Sequence, residues 1–364
     1  MSRPALKFKN PDADTQTFFA ALRKNVDSYF RDNQISKNNN NAMVLKSVIL
    51  ISAYVLPFIG ILVFQPPLLI ALPFWILMGF ALSGIGMSVM HDANHGAYSK
   101  KKKVNDLIAR SIHLLGGTIH TWKLQHNILH HTYTNIPEMD DDIETKMFMR
   151  FSPGVNLKWY HRFQFIYAFL FYGLLTMYWV TAKDFVQLRQ YTKENVNKNT
   201  KAENRRILLK MILGKIGYYF VFIGLPLFIL KMPVLPYLIG FLTMLFVSGV
   251  LLSVIFQLAH TVEDTTHPLP NEDLTIENCW AIHQLNTTVN FAPKNKFLSW
   301  YIGGLNFQVE HHLFPTICHV HYPKISPIVQ RTAEEFGIPY LQHQTFGEAF
   351  QSHIRTLKKF GREA

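Results

Sequence analysis

The sequence predicts an all-α integral membrane protein. Its plan is four transmembrane helices in two hairpins, one interfacial helix, and a cytoplasmic helical cap holding a histidine-rich two-metal centre. Three observations predict it. Of the 364 residues, 49% are hydrophobic and only 16% charged, against about 25% charged in soluble domains. Several apolar runs approach the roughly 20 residues that a bilayer core requires. The histidines gather at the ends of those runs and in the polar segments beyond them, not inside them.

Residues 1–43 read as a cytoplasmic N-terminal cap. Phe18, Phe19, Leu22, Val26, Tyr29 and Phe30 recur at helical spacing behind Asp14 and Thr15, which can cap, so a helix packed on the rest of the protein is expected. The first apolar run starts only near Val44, which does not fit a signal peptide. A membrane domain is expected over 44–323 and a cytoplasmic C-terminal cap over 324–364.

The runs 47–64 and 68–90 are separated by Gln65-Pro66-Pro67 and form the first hairpin. Gly79, Ser83, Gly84, Gly86 and Ser88 in the second run predict close helix packing. That run ends on His91-Asp92-Ala93-Asn94-His95, and Lys100, Lys101, Lys102 and Lys103 follow, a mark of the cytoplasmic side. The segment 104–122 leads into His126-Asn127-Ile128-Leu129-His130-His131, where an α-helix would place His126 and His130 on one face. His131 would then point about 100° from His130, so the adjacent pair serves two neighbouring ions more easily than one. His113 and His120 have no paired spacing, and Asp140-Asp141-Asp142 reads as a solvated loop, the alternative being that it orients ligands or binds a cation.

The run 163–182 precedes a basic stretch, 183–210, with eight Lys/Arg and three acids. The runs 211–230 and 234–256, split by Lys231-Met232-Pro233, form the second hairpin, and His260 follows. Farther on lie Gln308-Val309-Glu310-His311-His312 and an amphipathic helix with Phe346, Ala349, Phe350, Ile354 and Leu357 on one stripe. If every run crossed the bilayer, His260 and the third box would face away from the first two. The basic stretch would also be exported. Four spans, at 47–64, 68–90, 211–230 and 234–256, remove both conflicts and make 163–182 interfacial or re-entrant.

Imidazole suits iron, zinc, copper or nickel, and two His-His pairs plus two helix-end histidines exceed the needs of one ion. Asp92, Glu263, Asp264 and Glu310 neighbour the histidines and are candidates to fix imidazole tautomers. No His-Glu-x-x-His, Gly-x-Ser-x-Gly or dinucleotide-binding motif is present. The two cysteines, Cys279 and Cys318, are too few for a disulfide framework. The net charge of +12 is explained by basic flanks around apolar spans, and no nucleic-acid motif accompanies it.

Taken together, His-Asp-x-x-His, His-x-x-x-His-His and Gln-x-x-His-His, in this order between apolar spans, resemble the membrane di-iron fatty acyl desaturases. The stretch Gln308 to Pro315 is similar to their front-end branch, in which glutamine replaces the first histidine of box three. The resemblance implies two non-haem irons, oxygen as co-substrate, a fatty acyl substrate carried by CoA or a lipid, and electrons from a separate ferredoxin or b-type cytochrome with its reductase. It implies that His91, His95, His126, His130, His131, His260, His311 and His312 are the catalytic iron ligands, with Gln308 at a further ligand position. There are two departures. The sequence has no His-Pro-Gly-Gly motif of a fused cytochrome domain, and Phe256 stands where the stearoyl-CoA branch carries an asparagine. A hydroxylase or other oxygenase on the same scaffold is the alternative chemistry. A histidine-rich metal transporter is the remote one, since it would place its ligands within the spans.

Overall fold

The computed structural model describes residues 3–9, 17–143 and 148–363. The helices used below are α1 (Phe18–Asp32), α2 (Asn41–Phe64), α3 (Leu68–Asn94), α4 (Lys102–Ile108), α5 (119–133), α6 (Trp159–Lys193), α7 (Lys201–Ile229), α8 (Val234–His260), α9 (Trp280–Thr287), α10 (Gln308–Leu313), α11 (Tyr322–Glu335) and α12 (Phe346–Phe360). Two short parallel pairings tie distant segments: β1 (Lys7–Phe8) with β2 (Thr275–Ile276), and β3 (Asn290–Phe291) with β4 (Gln342–His343).

Among the described residues, five helices are long and apolar enough to cross a membrane: α2, α3, α6, α7 and α8. The third of these, α6, contains the run expected to be interfacial. Many of their large apolar side chains face outward; Leu69 is 85% and Phe64 80% exposed, a pattern suited to lipid rather than water. Helices α3 and α8 pack closely because small residues line their contact. A Cβ at Gly79 would come within 2.8 Å of the Met244 carbonyl oxygen. Trp75, Tyr237, Phe241 and Phe222 fill the same core. Its one cation within an expected span, Lys215, is paired: its ammonium lies 3.3 Å from Asp184 and donates to the Gly116 carbonyl at 2.5 Å.

The polar end is a helical cap. Phe18, Leu22, Val26 and Phe30 of α1 are buried against Ile325 and Val329 of α11 and Leu285 of α9, as the helical spacing predicts. The suggested capping residues Asp14 and Thr15 lie outside the described residues. On α12, Ala349 and Leu357 are buried and Phe346 and Phe350 pack on the same core, so this stripe is packing surface. Both ends of α6 touch the cap. Gln164 donates to the Leu357 carbonyl, and Tyr191 donates to Asp141.

Candidate metal centre

The ends of α3 and α8 bring His91, His95 and His260 to the cap, while α5 and α10 bring the other two boxes. Helix α5 departs from the expected α geometry, being π-helical over Lys123–His130. Its i→i+5 bonding widens the turn, so residues four and five positions after His126 both lie near its face. His130 and His131 thereby reach the same centre on either side of His126. A second π segment, Ile85–Met90, immediately precedes His91.

All eight sequence-identified histidines converge. The ligand nitrogens of His91, His95, His126 and His311 lie within 4.8 Å of one another, as do those of His130, His260 and His312. His131 joins His311 and His312 in a third such grouping and therefore sits between the first two. The His91 and His126 Nε2 atoms are 3.1 Å apart. The Nε2 atoms of His95, His130, His131, His260, His311 and His312 are buried without a hydrogen-bond partner. Buried imidazole nitrogens left unpaired are costly, and a pair of metal ions would satisfy them. The donor set thus fits two metals, and imidazole suits iron among others. Gln308 is buried and lines the adjoining cavity beside His91, His126 and His311. Phe256 packs its ring on His130 and His260 at 5.0 and 4.9 Å.

Five of the opposite ring nitrogens have partners, two from the acidic trio and three from groups that the sequence did not single out. Asp140 accepts from His130 Nδ1 at 2.9 Å and Asp142 lies 3.4 Å from His126 Nδ1. Gln284 Oε1 accepts from His312 Nδ1 at 2.7 Å, and the Thr287 carbonyl lies 3.2 Å from His260 Nδ1. Tyr322 OH lies 3.2 Å from His311 Nδ1. Such partners fix the ring and leave Nε2 for the metal. The reading of Asp140-Asp141-Asp142 as a solvated loop is therefore corrected: Asp140 is 0% and Asp141 3% exposed. Arg3 holds this turn from outside, bonding Asp141, Glu194 and the Met139 carbonyl.

The acids proposed from sequence adjacency do other work. Asp92 accepts from His319 at 2.8 Å, and that ring contacts Lys46. Glu310 bonds Tyr340 and Asn290. Glu263 pairs with Arg355, and Asp264 lies 3.8 Å from His343. Adjacency fails for Asp92 and Glu310 because neighbours on a helix point about 100° apart, and Glu263 and Asp264 lie on the turn beyond α8. His113 bonds the Gly117 carbonyl and takes no part in the centre.

Burial, and then the surrounding imidazoles, hold His131, His311 and His312 well below the ordinary histidine range, so they present neutral lone pairs. His130 is the exception. Burial opposes its protonation, but Asp140 and Asp142 outweigh that and raise it. Beside the centre opens a cavity of about 250 Å³, walled by Gly86, Leu115, Phe171, Leu175, Leu252 and Phe256 among others.

A helical scaffold with long apolar helices and eight imidazoles converging at one end defines a class of membrane protein with a candidate multi-histidine metal site beside an apolar cavity. Comparison with known proteins gives the family. The model of the fatty acid desaturase family matches residues 66–344. The chain is 38% identical over 345 residues to the sn-1 linoleoyl-lipid 6-desaturase of Arthrospira platensis, covering 94% of this chain and 92% of that protein. It is 34% identical to the sn-1 linoleoyl-lipid 6-desaturase of Synechocystis sp., covering 95% and 96% of the two chains. It is 33% identical to the acyl-lipid (8-3)-desaturase of Physcomitrium patens, covering 96% of this chain and 73% of that one. The chain belongs to the fatty acid desaturase family and is an oxidoreductase acting on fatty acyl chains.

Proposed function

We propose that this protein is a front-end desaturase that inserts a cis double bond into an unsaturated acyl chain of a membrane lipid. In this reading two irons are held by His91, His95, His126, His130, His131, His260, His311 and His312, with Gln308 as a weaker oxygen donor or water holder. The observation that carries it is the convergence of orphaned imidazole nitrogens on the wall of an apolar cavity. The names of the relatives favour a lipid-linked acyl group over acyl-CoA. The 6-desaturases support a bond placed near the carboxyl end.

An unactivated C–H bond requires an oxidant beyond any side chain, which a bound iron pair supplies with oxygen. The residues of the chain do the rest. Asp140, Asp142, Gln284 and Tyr322 hold the rings at Nδ1. Gly86, Leu115 and Leu252 leave room for methylenes and exclude water, and Phe256 closes one side of the second histidine group. Four spans, α2, α3, α7 and α8, keep all the boxes on the cytoplasmic side. Contacts of both ends of α6 with the cap support its re-entrant role.

The test is expression in a host with simple lipids, feeding saturated and polyunsaturated acids separately, and locating new double bonds by mass spectrometry. A new bond between an existing one and the carboxyl end is expected, with two irons per purified chain. A new bond only in saturated chains would refute the front-end assignment, and a hydroxylated product without a double bond would refute desaturation. One zinc and no iron would refute the di-iron centre.

A further inference from the structure

Removing two hydrogens from an acyl chain supplies two electrons, yet reducing oxygen to two waters takes four. The balance is –CH2–CH2– + O2 + 2 e⁻ + 2 H⁺ → –CH=CH– + 2 H2O. Two electrons must therefore enter from a carrier, and a carrier must dock where the histidine cluster comes nearest to solvent.

Seven of the eight histidines are buried, whereas His95 is partly exposed. Its Nε2 faces the cluster and is shielded, so the outer part of the residue meets solvent. His95 ends α3 and is followed by Gly96 at φ +76°, a backbone turn that glycine adopts without strain. This turn carries the chain directly into Lys100, Lys101, Lys102 and Lys103. Asn105 pins α4 back onto it, donating to the Gly96 carbonyl at 3.1 Å and the Ser99 carbonyl at 2.7 Å, and accepting from Ser99 N–H at 2.8 Å. From the other side, Asn127 on α5 donates to the Asn94 carbonyl at 3.2 Å. Helix α5 thereby brings Lys123, close enough for its charge to act on His95, and Ile128, 47% exposed. Lys102, Lys123 and Arg110 all lie near Asp106, the acid among them. The surface around the outermost histidine is thus cationic with an apolar point beside it.

We propose that this surface, formed by the His95 turn, α4 and the start of α5, is the docking site of an acidic single-electron carrier protein. The proposal rests on the desaturase reading above. A second basic surface, the stretch with Lys198, Lys201 and Arg205, has comparable charge but carries no histidine of the cluster. Proximity to His95 selects between the two. Opposite charge steers encounter and sets the on-rate, and salt screens it.

The test uses the full-length protein in neutral detergent and a plant-type [2Fe–2S] ferredoxin as the probe. Association is followed by stopped-flow at about 0.01 and about 0.1 M ionic strength, where the screening length shortens from about 30 to about 10 Å. The on-rate should fall with salt. In a Lys100→Glu, Lys103→Glu, Lys123→Glu variant it should fall by roughly tenfold at low salt, within the range that steering provides. A Lys198→Glu, Lys201→Glu, Arg205→Glu variant should associate like the parent. An unchanged on-rate in the first variant, or a loss confined to the second, overturns the proposal. So does a first variant that loses only binding to phosphatidylserine vesicles, which would make the lysines a lipid anchor. Single turnover with dithionite and oxygen separates the two levels. If a double bond still forms, only the docking site has failed. If none forms in the parent protein, the desaturase reading itself has failed.

Discussion

Asp140 offers the sharpest perturbation of the metal centre. Its carboxylate is fully buried and accepts from three donors: His130 Nδ1 at 2.9 Å, Asn135 N–H at 3.0 Å and Asp142 N–H at 2.9 Å. An Asp140→Asn variant retains one carbonyl oxygen and nearly the same shape but removes the charge that makes His130 a stronger donor. Loss of such a partner costs about 10- to 100-fold in metal affinity, or about 1.4 to 2.8 kcal/mol. Asp140→Ala differs in kind. It strands two buried donors at about 1–3 kcal/mol each and a half-buried third, a large share of a margin of about 5–15 kcal/mol. The assay is competition for iron between purified protein and a calibrated chelator, run beside thermal unfolding of the metal-free protein. On the proposed di-iron reading, the asparagine variant should unfold near the parent temperature and bind one of two irons more weakly, while the alanine variant should lose stability outright. An asparagine variant that binds both irons within about twofold of the parent would refute the orienting role.

Three further outcomes are expected. His131→Ala should abolish turnover while membrane insertion persists, whereas His113→Ala should retain much of the activity; fatty-acid analysis and membrane fractionation check both. A cysteine at Asn195, in a background lacking Cys279 and Cys318, should react only with reagent added on the cytoplasmic side, and reaction from outside would require α6 to cross. His353 donates to the Thr261 carbonyl and accepts from Tyr172, and burial lowers it to about 4. Between about 6.5 and 4 the unfolded chain binds a proton that the folded chain does not. Stability should therefore fall as pH drops, by about 2 kcal/mol near pH 5, and His353→Gln should lessen that fall in unfolding measurements.

Local pattern alone was enough to read long apolar helices fit for a membrane and to pick out the eight histidines that the fold brings together. Each of these is carried by local pattern: apolar run length, proline breaks at Pro66 and Pro233, and short histidine spacings. It also led to two local errors with a common origin. Asp140 to Asp142 looked solvated because three consecutive acids usually are, and Asp92 and Glu310 looked like partners of the histidines beside them. The folded chain corrects both, since a ring's partner is set by which side chains the cap brings to Nδ1. Gln284 comes from a separate helix with no motif around it. The Asp140 turn lies ten residues past His130 and Tyr322 eleven past His311, and that closeness was the available signal. Arg3, more than a hundred residues from the turn it holds, gave none. The π segment that aligns His126, His130 and His131 is likewise invisible to a periodicity of about 3.6, because its i→i+5 bonding does not keep that period.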